Sequence, residues 1–155
     1  MQKIYILLIS VLITSCASIP QAQEKEQIDK VLNEWHHAAA VADEDAFFGA
    51  FAEDGIYIGT DATEHWTAKE LQEWSVKAFA KESAWAFESY NRHIFFSKDG
   101  KTAWFDELLN TWMGTCRGSG VLEKVDGDWK IAHYHLAVAV PNQKINDYLD
   151  LLKED

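Results

Sequence analysis

Apolar residues recur at helical spacing in the first half of this chain and alternate with polar ones in the second. Ile28, Val31, Leu32, Trp35, Ala39 and Ala42 fall on one stripe and predict an amphipathic helix over residues 24–43. His36 flanks that stripe and His37 lies opposite it. Asp45 is placed to cap a short second helix containing Phe47, Phe48 and Phe51, ended by Asp54 and Gly55. Residues 56–59 read as a short strand. Thr67 and Glu70 form a capping-box pattern that opens a third helix over residues 68–81, with Leu71, Trp74, Ala78 and Phe79 inward.

From Trp85 onward the period is two. Strands are predicted over residues 85–97, 102–112, 114–125 and 129–140, with turns at Asp99-Gly100 and Asp126-Gly127. Pro141 and Asn142 stop the sheet, and Ile145, Tyr148, Leu149 and Leu152 mark a C-terminal helix. Helices first, with one strand among them, then a run of antiparallel strands, make an α+β fold. A curved sheet wrapped against the N-terminal helices would enclose an apolar space.

The leader changes the picture of where the protein works. Residues 4–13 are an apolar run of signal-peptide length, too short to span a bilayer comfortably. The following Ile13-Thr-Ser-Cys16 resembles a bacterial lipobox, in which the cysteine is lipidated and becomes the N-terminus. That reading gives a signal peptide at 1–15, a tether at 16–23, a domain at 24–155, and a lipid anchor at Cys16 in the bacterial cell envelope. The alternative is an ordinary signal cut after Ala17, which leaves a soluble periplasmic protein. With Cys16 lipidated, Cys116 has no intrachain partner and reads as a buried structural thiol. A hydrophobic content of 48%, with seven Trp and eight Phe, supplies a core without a disulfide. The net charge of −11 excludes the basic stripe that nucleic acid requires.

Candidate chemistry centres on the last hairpin. Strict alternation puts His133 and His135 on the face of Trp129 and Ile131, the buried one, where a neutral imidazole serves as base or donor. A metal site needs a third ligand, and no motif spacing supplies one, so neither metal nor cofactor is expected. Arg117 depends on register. A type I turn with a glycine bulge at residues 125–127 puts Arg117, Ser119 and Val121 on the histidine face. A tight turn at Asp126-Gly127 turns Gly118, Gly120 and Leu122 inward instead. The first arrangement is preferred because it sets Val121 beside Ile131. Glu107 alternates with Ala103 and Phe105 and is expected inward, as a general base with a raised pKa or as the counter-ion of Arg117. Asp61 and Glu64 occupy the loop after the first strand. Trp35, Tyr57 and Trp66 are candidates for an aromatic wall.

Together, the Trp-bearing first helix, the Phe-rich segment 46–51, Asp54-Gly55, Asp61 with Glu64 and Trp66, residues 103–107, Arg117-Gly-Ser-Gly, and the ending Asp126-Gly-Asp-Trp-Lys-Ile-Ala-His-Tyr-His135 resemble the SnoaL-like branch of the nuclear transport factor 2-like superfamily. The likeness spans residues 24–142, and Arg117 with Ser119 matches the family's Arg-x-Ser/Thr pattern. The Trp-Lys-Ile-x-His-x-His ending is also similar to the association domain of calcium/calmodulin-dependent kinase. That domain continues with Arg-Ser where this chain has Leu136 and Ala137, so the arginine's anion-binding role does not carry over. The resemblance implies a cone-shaped, cystatin-like α+β domain with a pocket, often in a homodimer.

Three functions follow as expectations. The first is a module binding a small, partly apolar, anionic molecule through Trp35, Tyr57, Asp61, Trp66, Arg117 and His135. The second is an enzyme of isomerase, cyclase or dehydratase type with Glu107 or His133 as base. The third is a protein-interaction domain whose cone is filled. A pocket holding Glu107, Arg117 and both histidines favours the first two, and a cavity plugged by Trp35 and phenylalanines favours the third.

Overall fold

The computed structural model describes residues 21–153; the leader, Cys16 and most of the tether lie outside them. Helix α1 (Gln21–Ala40) carries the predicted stripe, and Ile28, Leu32 and Trp35 on it are buried. Helix α2 (Glu44–Gly49) is capped by Asp43, whose side chain accepts from the Ala46 backbone N–H, rather than by Asp45. Phe51 does not close this helix. It opens strand β1 (Phe51–Ile58), which runs through Asp54 and Gly55 instead of starting after them. Strand β2 (His65–Thr67) leads into α3 (Ala68–Phe79), where Thr67 and Glu70 form the expected reciprocal capping box. Leu71 and Phe79 face inward, but Trp74 is 56% exposed, contrary to its predicted place in the core.

Strands β3 (Glu88–Phe96), β4 (Thr102–Thr111), β5 (Gly114–Val125) and β6 (Asp128–Val138) complete one curved sheet in the order β2-β1-β6-β5-β4-β3. β1 and β6 pair in parallel and all other neighbours antiparallel. The inner face packs Phe105, Leu109, Leu122, Ile131, Tyr134 and Leu136 against α1 and α3. Helix α4 (Ile145–Leu151) forms as predicted, yet buries none of its side chains.

Two irregularities decide which residues face inward. Asp126 and Gly127 both have positive φ, 53° and 98°, and Val125 pairs with Asp128, so β5 and β6 meet in a tight two-residue turn. Further along, Leu122 pairs with Ile131 but Val121 pairs with His133. Ala132 is therefore an extra residue, a β-bulge, and the alternation of β6 restarts after it. Trp129 and Ile131 point inward before the bulge; Tyr134 and Leu136 do so after it. His133 and His135 consequently face the outside of the sheet. The preferred register is corrected in the same way: Gly118, Gly120 and Leu122 are the inward residues of β5, and Arg117 is exposed on the outer face. The bare Gly118 leaves room for the Tyr134 hydroxyl, which lies where a Cβ would press.

Candidate functional site

Glu107, on β4, is the charged group at the centre of the interior and is fully buried. Its closest partners come from α1 and β3, and the Tyr134 hydroxyl on β6 donates to Oε1 at 3.5 Å. His36 Nε2 lies 2.7 Å from Oε1, and Arg92 Nε donates to Oε2 at 2.8 Å. Arg92 points inward because Asn91, with φ of 53°, sits at a bulge where Tyr90 pairs with Leu108 and His93 with Asp106. The rest of its guanidinium donates to Asp29 Oδ1 at 3.1 Å, Asn33 Oδ1 at 2.9 Å and Ser89 Oγ at 2.9 Å. Burial pushes the Glu107 pKa up, but the His36 hydrogen bond and the charges of His36 and Arg92 outweigh it and hold the carboxyl below its ordinary value. This is the counter-ion arrangement foreseen for Glu107, with a different arginine.

Arg117 takes no part in it. On the outer face its Nη1 lies 3.3 Å from Asp106 Oδ1, and His93 Nδ1 lies 3.2 Å from the same oxygen. His133 and His135 share that outer face, and His65 on β2 lies across β1 from His135 through the common partner Ile58. Burial lowers the His133 pKa, and the His135 and His65 charges lower it further. The predicted cluster of Glu107, Arg117, His133 and His135 is thus split by the sheet itself.

The deep interior is nearly full. Trp35 stacks on Phe47 at 5.1 Å and meets Tyr134 edge-on at 4.6 Å. A chamber of about 10 Å³ is left, bounded by these rings with His36, Tyr57, Trp85 and Phe87. That is room for about one water molecule. Trp35 Nε1 is buried without a hydrogen-bond partner among the described residues.

Where the interior opens, the lining changes. The end of β1, the β1–β2 loop, α3, the segment before β3 and the β4–β5 turn surround a cavity of about 150 Å³. Trp66 and Trp74 lie with centroids 4.8 Å apart and planes at 33°; Tyr57, Trp85, Phe87 and Trp112 complete the ring. Tyr57, Trp85 and Phe87 also line the chamber, so mouth and interior share a wall. Burial, with lesser contributions from Glu64 and Cys116, pushes the Tyr57 pKa far up and keeps its hydroxyl protonated. Glu64 borders the mouth, and its Oε2 accepts the Asp61 backbone N–H at 3.1 Å. Asp61 itself faces away from this role: its Oδ1 accepts from the Thr63 backbone at 2.8 Å and hydroxyl at 2.6 Å, bonds that lower its pKa.

A larger groove of about 600 Å³ lies at the other end, between α1, α2 and the β5–β6 turn. It is open and rimmed by Lys30, Glu34, Asp128 and Lys130. Among the described residues no three His, Cys, Asp or Glu side chains converge as metal ligands would. Cys116 is buried and free.

Of the residues singled out from sequence, Tyr57 and Trp66 meet at the mouth and Trp35 is buried beneath it. Glu107 lies deeper, while Arg117, His133 and His135 lie outside. Sequence reasoning missed Arg92, whose strand period is broken by the bulge, and Trp112. An exposed tryptophan in a hairpin turn was the available signal for the latter.

A family model described as the SnoaL-like domain matches residues 28–141. The chain belongs to the SnoaL-like family. No curated protein matches it. Solved structures agree on the fold. A nuclear transport factor 2-like protein of unknown function from Pseudomonas putida aligns with TM-score 0.65 and 14% identity, over 82% of this chain and 94% of that one. A cystatin-like protein of unknown function from Nostoc punctiforme gives 0.63 and 16%, over 76% and 92%. A candidate scytalone dehydratase from Novosphingobium aromaticivorans gives 0.64 and 13%, over 77% and 87%. At these identities the SnoaL-like chain shares their fold and nothing finer.

Proposed function

We propose that this SnoaL-like domain binds a small, compact, partly apolar molecule at its aromatic mouth. The observation that carries the reading is the convergence of Trp66, Trp74, Trp85 and Trp112, from four separate segments, on one opening. Trp74 is 56% exposed and Trp112 83%, so large apolar faces stand in water without stabilising the core. The cavity is smaller than the roughly 300–1,000 Å³ of pockets for drug-sized ligands, which favours a small molecule or one compact end of a longer one. The foreseen anionic ligand loses its support, because Arg117 faces the other side of the sheet.

Native mass spectrometry of the domain purified from its own cells tests the reading. A retained small molecule that is lost in Trp74→Ala supports it. A molecule that survives that change, or none at all under gentle conditions, contradicts it.

Acid–base catalysis is the second reading, favoured by His36, which borders the chamber and is oriented by Glu107 at 2.7 Å. It is the weaker one: a carboxylate held below its ordinary pKa is a poor base, and the chamber must open to admit a reacting atom. The nearly filled interior also suits a protein-interaction role, for which the outer sheet face is the natural surface. Lipidation at Cys16 and residence in the bacterial envelope belong to the same proposal, and partitioning of wild type but not Cys16→Ala into detergent tests them.

A further inference from the structure

The mouth carries charge of one sign. Glu64 is the only acidic or basic side chain that borders it among the described residues; neither lysine nor arginine does. Its position is built into the backbone. A carboxylate oxygen of Glu64 lies where a Cβ on Gly59 would sit, so a side chain there would push Glu64 aside. Oε2 is fixed by the Asp61 N–H, while Oε1 accepts no hydrogen bond from the described residues. Tyr57, Trp66, Trp74, Trp85, Phe87 and Trp112 line the same opening.

We propose that the mouth selects an organic cation, specifically an N-methylated ammonium group; the inference rests on the mouth-binding reading above. Aromatic faces carry the negative part of the ring quadrupole and attract a cation within about 6 Å of the ring centroid. Methyl groups spread the charge and loosen its water, so such a group packs on indole rings as an apolar body while keeping its charge. A plain ammonium would have to shed strongly held water. The free oxygen of Glu64 adds a counter-charge at the rim, and the net charge of −11 draws cations and repels anions at longer range. The cavity of about 150 Å³ suits one compact head group, with any remainder of the molecule in solvent.

Choline and its uncharged carbon isostere, 3,3-dimethylbutan-1-ol, separate charge from shape. Calorimetric titration of the whole domain, with tryptophan indole N–H shifts as the locator, is expected to give choline at least about fivefold tighter binding than the isostere. Glu64→Gln, which keeps an acceptor for the Asp61 N–H, is expected to weaken choline about fivefold and leave the isostere unchanged. Gly59→Ala, which displaces the carboxylate, should act in the same direction. Isostere binding as tight as choline overturns the cation preference and leaves the aromatic pocket standing. Failure of both probes to bind also overturns it, whereas the mouth-binding reading falls only on the outcome for the retained molecule and Trp74→Ala.

Discussion

Arg92 is the residue on which the interior charge balance turns. It is the guanidinium that faces the fully buried Glu107, and through Asp29 and Asn33 it also ties β3 to α1. Arg92→Met would leave Glu107 with the His36 contact and a 3.5 Å hydrogen bond from the Tyr134 hydroxyl but without its guanidinium, and breaking a buried pair on one side costs about 3–5 kcal/mol. Urea unfolding of this variant should show a loss of that size. The acid limb has a defined sign. Glu107 is held below its ordinary value of 4.5, so its contribution is complete above about pH 4.5 and is lost as pH falls through the lower folded value. Unfolding free energy followed from pH 6 to about 3 should therefore fall more steeply in wild type than in Glu107→Gln. A parallel slope in the two would place the acid sensitivity elsewhere.

At the scale of elements, what was legible in the sequence and what was not divide along one physical line. Elements specified by local periodicity and by caps were readable: the stripe of α1, the capping box of α3, β5 with its bounds, and the position, though not the preferred form, of the turn at Asp126-Gly127. Face assignments beyond a bulge were not, because one inserted residue inverts a period of two. Alternation from Trp129 places His133 inside; Ala132 resets the count and puts Tyr134 there instead. Asn91 does the same for Arg92. Nothing local distinguishes Ala132 from any other small strand residue, since the bulge is set by pairing with both β5 and β1. Glu107 was readable because β4 pairs without a shift along its contact with β5. The tight turn gives a direct check on this register. Asp126 sits at φ of 53°, which a bulged turn with only Gly127 left-handed would not demand, so the β-branched Asp126→Val should lose about 1–2 kcal/mol in thermal or urea unfolding. A neutral change would contradict the two-residue turn.

On the scale of the whole molecule, the sheet separates two surfaces with different uses. Its inner face and the helices close the core and leave the aromatic mouth. Its outer face exposes Tyr90, Phe95 and Trp104, with Phe95 stacked on Trp104 at 6.0 Å and His93, His133, His135 and Arg117 on the same face. We propose that this face joins two copies of the domain. Light scattering should then give a dimer for wild type and a monomer for Trp104→Glu, with circular dichroism unchanged. A monomeric wild type would remove the proposal.

The seven tryptophans sample every candidate surface: Trp66, Trp74, Trp85 and Trp112 the mouth, Trp104 the outer sheet, Trp129 the open groove, and Trp35 both the groove and the chamber. Nitrogen-15 labelling of the indoles and exposure to a panel of small apolar and N-methylated compounds is therefore the most direct test of where this protein binds. Mouth binding predicts that the Trp66, Trp74 and Trp112 signals move together and saturably while those of Trp104 and Trp129 stay fixed. Saturable shifts confined to Trp104 or Trp129, with the mouth signals unmoved, would contradict it.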